Sequence, residues 1–171
     1  AAYRKRLTFD ASSLAPQVVA PHSPANSASV DLHRGTPVDQ AYIGACTGAK
    51  LEDLHMAAEI LRGRRVAPGL RLLVAPASAR ITNQAAADGT LAALTEAGAI
   101  LLSSGCGACA GYGAGVLAEG EVCISSTARN FKGRMGAGTS KVYLGSPYTV
   151  AAAAVAGRIA DPREMLAETR R

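Results

Sequence analysis

Tryptophan is absent from this 171-residue chain, and five Tyr and two Phe make up its whole aromatic complement. Surfaces that bind single-stranded nucleic acid use aromatic rings as stacking platforms, so this supply argues against a nucleic-acid partner. No run of about 20 consecutive apolar residues is present, and the stretch AAYRKRLTFD lacks the apolar centre of a secretory signal. The expectation is a soluble, cytoplasmic protein that makes no membrane contact. Also missing are a Ser–His–Asp spacing, a paired-carboxylate motif and a P-loop, so no general base can be named. The three histidines help little: His22 and His33 lie in a proline-rich stretch, and His55 lies in a helical pattern where it reads as structural.

Cysteine is scarce too, at four residues. In a reducing compartment four cysteines serve as metal ligands, reactive thiols or core residues before they serve as disulfides.

What is present indicates one domain with a substantial core: 49% of the residues are hydrophobic, and a domain of about 150 residues buries roughly 70% of its unfolded surface. A net charge of +5 and a pI of 9.3 favour an anionic partner, whether nucleic acid, an acidic protein surface or a small polycarboxylate. Residues 1–37 hold Pro16, Pro21, Pro24 and Pro37 with no sustained period of 2 or 3.6, which predicts an extended arm or linker. From there to residue 171, short apolar runs alternate with helical patterns, the signature of βα units around a mostly parallel sheet. Strands are predicted at 41–45 (AYIGA), 71–75 (RLLVA), 99–103 (AILLS), 122–126 (VCISS) and 141–145 (KVYLG). Helices are predicted at 51–61, where acids come first and bases last as the helix dipole prefers, at 77–97 with a break near Gly89, and from Pro147 through Ala156.

Ligands of open α/β sheets gather beyond the carboxyl ends of the strands. Three unusual segments begin at such ends: Cys46-Thr47-Gly48, the run Gly105 to Gly111 (GCGACAG), and Arg129 to Arg134 (RNFKGR). Cys106 and Cys109 form a C-x-x-C pair among glycines, a spacing that lets two sulfurs reach one metal centre. The pair alone also fits a redox dithiol, half a zinc site or simple packing. Cys46, 60 residues earlier and at another strand end, is a candidate third ligand. Cys123 could complete a four-cysteine zinc site, but its place inside a strand run favours core packing. Three thiolates on an iron–sulfur cubane would leave one iron open to act as a Lewis acid. Arg129 and Arg134 flank Gly133, and guanidinium forks bind carboxylates in bidentate fashion. Arg62, Arg64 and Arg65 follow a helix end and read as solvated. The run GCGACA also matches the dinucleotide fingerprint G-x-G-x-x-A, yet it would fall in the third βα unit and leave both cysteines unexplained.

In this order and spacing, IGACTGAKLEDL, LLVAPASARI, SGCGACAGYGAGVLAEGEVCISSTARNFKGRMGAGT and SPYTVAAAAVAGRIADP resemble the cluster-binding third domain of the aconitase superfamily, with the large subunits of isopropylmalate isomerases and related dehydratases as the nearest match. The resemblance covers nearly the whole chain from about Pro16. It implies a three-layer αβα domain over residues 38–171, a [4Fe-4S] cluster on Cys46, Cys106 and Cys109, and carboxylate-binding roles for Arg129 and Arg134. It implies reversible dehydration and hydration of a hydroxy di- or tricarboxylic acid, with a link to leucine biosynthesis. The implied partners are the remaining aconitase-type domains, which carry acid–base residues, and a small swivelling subunit that carries the catalytic base serine. This chain on its own is therefore expected to be inactive. The rival expectation is an iron–sulfur or zinc-bearing regulatory module with no catalysis of its own.

Two departures stand out. The family has Ser-Cys-Thr-Asn at its first ligand and Asn-Arg-Asn-Phe at its arginine loop, whereas this chain has Ala45-Cys46-Thr47-Gly48 and Ala128-Arg129-Asn130-Phe131. Polar side chains are thus missing at Ala45, Gly48 and Ala128. The sulfurs are unaffected; the identity of the acid substrate is not fixed by these residues.

Overall fold

A computed structural model describes residues 3–169; residues 1–2 and 170–171, the outer ends of the two expected segments, lie outside it. Five parallel strands form the middle and one side of a seven-stranded sheet: β3 (Gln40–Ile43), β4 (Arg71–Val74), β5 (Ile100–Leu101), β6 (Val122–Ser125) and β7 (Lys141–Leu144). Two more, β1 (Gln17–Val19) and β2 (Ser27–Ser29), form an antiparallel hairpin that joins β7 through Val19 opposite Leu144. The spatial order is β2-β1-β7-β6-β3-β4-β5. Part of the segment expected to be an arm is therefore sheet, with Val18 and Val30 fully buried. Strands of three residues are too short to show a period of 2 in sequence.

The helices sit where the sequence puts them. Helix α1 (Leu51–Leu61) begins with the Lys50 backbone N–H donating to the Asp53 carboxylate at 3.0 Å. The long helical stretch divides into α2 (Ala79–Ala87) and α3 (Thr90–Glu96), and Gly89 between them takes the left-handed φ of 79° that reverses the chain. Helix α4 (Pro147–Ala156) has Ser146 as its N-cap, Pro147 in its first turn and left-handed Gly157 after its end. A further helix, α5 (Pro162–Thr169), was not anticipated; ahead of it the Asp161 carboxylate accepts from the Arg163 backbone N–H at 2.9 Å and from its guanidinium. His55 is structural, as expected: its Nε2 lies 2.8 Å from the Asp88 carboxylate and ties α1 to the end of α2.

Among the described residues, helix α1 packs against each of the other four helices, and apolar residues of all five join one cluster on the same side of the sheet. Strand alternation then divides the core. Ala41, Ile43, Leu72, Val74 and Ile124 join α1 and α4 on the helix side, and Tyr42, Leu73, Cys123 and Val142 face the other way. The mostly parallel α/β arrangement is as expected. Its second covering layer differs in kind: it is made of the loops that supply Ala108, Leu117 and Met135, with a single 3-10 turn at Gly107–Ala110. Long glycine-rich loops after β5 and β6 fill the space that a helix would take. Among the described residues no helix is long and apolar enough to cross a membrane.

Candidate active site at the carboxyl edge of the sheet

The three segments singled out in the sequence leave the carboxyl ends of β3, β5 and β6, and direct contacts join them into one rim. Leu117, at the exit of the cysteine loop, donates its N–H to the Met135 carbonyl at 2.8 Å and accepts from the Ala137 N–H at 2.9 Å. This short parallel pairing lays the end of the arginine loop along the end of the cysteine loop. A Cβ on Gly111 would stand 3.1 Å from the Arg134 carbonyl oxygen, so the two loops touch a second time. On the other flank the Ser126 hydroxyl meets the turn that bears Cys46, accepting from the Gly44 N–H at 3.1 Å and donating to the Gly48 carbonyl at 2.8 Å.

Cys46 and Cys106 are exposed, Cys109 is half-buried and Cys123 is buried, and all four are free thiols. Within the 3-10 turn the Cys109 N–H donates to the Cys106 carbonyl at 2.9 Å, which places the pair one turn apart. Tyr42 lies beneath them, its hydroxyl 3.5 Å from the Cys106 carbonyl, and its ring also fills the space beside Gly44 in the Cys46 turn. Burial, with Cys109 nearby, pushes the Tyr42 phenol up to about 12. A cavity of about 360 Å³ opens between Tyr42, Leu102 and the 105–107 and 112–114 backbone.

Cys123 is a different kind of residue. It is fully buried on the loop-side face of β6, and burial pushes its thiol up to about 12, so it stays neutral. A neutral core thiol is a poor ligand, since metals bind the thiolate. The soft-donor set at the rim is therefore Cys46, Cys106 and Cys109. The chemistry of those donors suits an iron–sulfur cluster. Among the described residues, however, no three His, Cys, Asp or Glu side chains converge closely enough to hold a metal ion. The fold brings the three thiols to one edge without gathering their sulfurs around a common point.

The arginine loop has an anchor that sequence reasoning missed. Asn130 is fully buried and donates its Nδ2 to the Ala20 carbonyl at 2.8 Å, which fastens the loop to the β1–β2 hairpin. Arg129 beside it is exposed, and Arg134 is half-buried. Two buried atoms of this loop, the Asn130 Oδ1 and the Arg134 Nε, have no hydrogen-bond partner. Such groups are costly to leave unpaired, and an acceptor at the Arg134 Nε is what a carboxylate supplies. Gln40 is the other missed residue. Buried at the start of β3, it donates to the Gly115 carbonyl at 2.8 Å and accepts from the Arg71 guanidinium, which in turn pairs with Glu121. Gly115 must be bare: its φ is +87°, and a Cβ there would lie 2.2 Å from Leu73 Cδ1. A glutamine in an otherwise apolar strand was the signal available in the sequence.

The family model described as "Aconitase family (aconitate hydratase)" matches residues 29–157. The 3-isopropylmalate dehydratase large subunit 2 of Archaeoglobus fulgidus is 51% identical over 166 residues, which is 97% of this chain and 40% of that protein. The homoaconitase large subunit of Thermus thermophilus is 51% identical over 165 residues, covering 96% of this chain and 40% of its own length. The 3-isopropylmalate dehydratase large subunit of Mycolicibacterium smegmatis is 50% identical over 169 residues, with coverage of 98% and 40%. The chain thus spans about 40% of the length of these relatives. With a family match across most of its residues and a rim of three thiols beside two arginines, the chain belongs to the aconitase family.

Proposed function

We propose that this chain is the cluster-bearing part of a hydro-lyase that reversibly dehydrates a hydroxy di- or tricarboxylic acid such as isopropylmalate. Cys46, Cys106 and Cys109 would hold a [4Fe-4S] cluster, and the domain that carries it would take in the β1–β2 hairpin together with the rest of the sheet. The observation that carries the reading is the sorting of the four thiols: three stand at one carboxyl edge, two of them exposed and Cys109 half-buried, and the fourth is sealed in the core. When bound, a cluster with three protein thiolates supplies a Lewis-acidic iron for a substrate hydroxyl. The chain's own contribution is binding and orientation. Arg129 is free to reach a carboxylate from solvent, and the unpaired Nε of Arg134 suits the acceptor oxygen of another, so the two guanidinium groups would fix an acid by its ends. Asn130 keeps both arginines on the rim through its bond to Ala20.

Because the chain spans only about 40% of its relatives, the proposal includes partners: the remaining aconitase-type domains and a small swivelling subunit, which would bring the acid–base groups. A cytoplasmic setting is part of the same reading, since it keeps exposed thiols reduced. Anaerobic reconstitution with iron and sulfide tests it. The expected result is a broad visible absorbance and roughly four irons per chain, lost in Cys46→Ser and kept in Cys123→Ser. Tight stoichiometric zinc with no such absorbance, or a cluster that survives Cys46→Ser, overturns it.

A further inference from the structure

The turn that carries Cys46 is held from outside itself. Between β3 and α1, residues 44–49 rest on the end of β6, and one hydroxyl makes most of the connection. The Ser126 Oγ accepts from the Gly44 N–H at 3.1 Å and donates toward the Gly48 carbonyl at 2.8 Å, with the Gly44 carbonyl at 3.3 Å. The Ser126 backbone N–H donates to the Tyr42 carbonyl at 3.0 Å, so the residue continues the β3–β6 ladder by one step and then caps it. Both ends of the Cys46 turn are thereby bound to one side chain, with Cys46 at its exposed middle.

Gly48 makes this contact possible. A Cβ at residue 48 would stand 2.1 Å from the Ser126 carbonyl oxygen and 2.7 Å from its Oγ. The obstacle is backbone, so it cannot swing aside as a flexible side chain would. An asparagine, the residue the family resemblance places here, has no room in this turn. The departure noted in the sequence is thus matched to a close approach of two backbones, with the hydroxyl of Ser126 taking up polar groups that the turn would otherwise leave open.

We propose that Ser126, seated against the bare backbone of Gly48, is the positioning residue for Cys46: it fixes the height and direction of that thiol relative to the Cys106–Cys109 turn. This rests on the proposed role of Cys46 as a ligand. Ser126 itself touches no cluster or substrate in this scheme; it acts through the turn. It is half-buried, and threonine is the substitution that keeps the hydroxyl.

Two measurements on the full chain separate this inference from the reading on which it rests. The first is amide hydrogen exchange of the apo protein, followed by mass spectrometry on peptides covering 44–50 and, as an internal control, α1. Ser126→Ala should speed exchange in 44–50 by roughly ten-fold, about the effect of losing one net hydrogen bond, with α1 unchanged; Ser126→Thr should restore it; Gly48→Ala should speed it further by forcing the turn off β6. The second is the half-life of the reconstituted cluster against an iron chelator, which should shorten in Ser126→Ala and Gly48→Ala and recover in Ser126→Thr. Unchanged exchange in 44–50 for Ser126→Ala overturns the positioning role, as does a wild-type cluster half-life in that variant. If instead Cys46→Ser retains a full cluster, the ligand assignment fails while the exchange result still reports whether Ser126 holds the turn.

Discussion

The helix-covered and loop-covered faces of this sheet bury comparable strand residues but are closed over in different ways. On the helix side, α4 presents Val150 through Ala154, all fully buried, to α1 and β3, and the contact is made almost entirely of apolar side chains. On the loop side the cover consists of single residues, Ala108, Leu117 and Met135, lowered onto Tyr42, Leu73 and Cys123 by polar ties such as Gln40 to Gly115 and by glycines where backbones meet. One face is a core made by periodicity, the other a site made by specific contacts. The difference predicts that stability resides mainly on the first face and the disposition of the thiols on the second.

The largest test of that division is Leu54→Ala on α1. Leu54 is fully buried on the helix side, and removing its side chain should cost about 3 kcal/mol of unfolding free energy in a denaturant titration. If the faces are as separate as their contacts indicate, exchange of the 105–117 amides should keep its ranking relative to the rest of the molecule. A selective loosening of that loop would break the comparison.

Gln40→Leu should have a smaller effect on stability and a larger local one. It leaves the Gly115 carbonyl without its donor and the Arg71 guanidinium with Glu121 alone, at a cost of about 2 kcal/mol. Exchange in 111–117 should rise while α4 is untouched, and iron retention after reconstitution should fall. Equal loss of protection on both faces would show that Gln40 serves the core as a whole.

The same contrast explains what was legible in the sequence. The helix side follows rules of periodicity and capping, so α1 and α4 were readable from their leucines, alanines and Pro147. The placement of three cysteines at strand ends and the burial of Cys123 were readable as well, because a strand run with a thiol in it signals burial. The hairpin of β1 and β2 was not, since its strands are three residues long and owe their place to β7. Nor were Ser126, Asn130 and Gln40, whose partners lie 78, 110 and 75 residues away. A serine in SST, or an asparagine in RNF, carries no periodic signal; its meaning depends on which loop the fold delivers to it. Gly48 belongs with them, as a departure in sequence and a steric requirement in space.

The finest test concerns Tyr42, whose ring closes the loop-side core and whose hydroxyl reaches the cysteine turn. Its hydrogen bond to the Cys106 carbonyl is long at 3.5 Å, so Tyr42→Phe should change stability at neutral pH by less than about 1 kcal/mol. The effect should emerge in alkali. Burial, then Cys109, raises the phenol from 10.0 to about 12, so between those pH values the unfolded chain releases a proton that the folded chain keeps, and stability falls as pH rises. Phenylalanine has no proton to release, and the variant's urea midpoint should fall less than wild type between pH 8 and 11. Cys123, raised by burial from 9.0 to about 12, contributes a fall of the same sign, and Cys123→Ala combined with Tyr42→Phe should flatten the profile further. Both groups sit on the loop side of the sheet. An alkaline profile unmoved by either substitution would mean that the loops admit enough water to ionise these groups in place, and the loop face would then be an open cover over the strands.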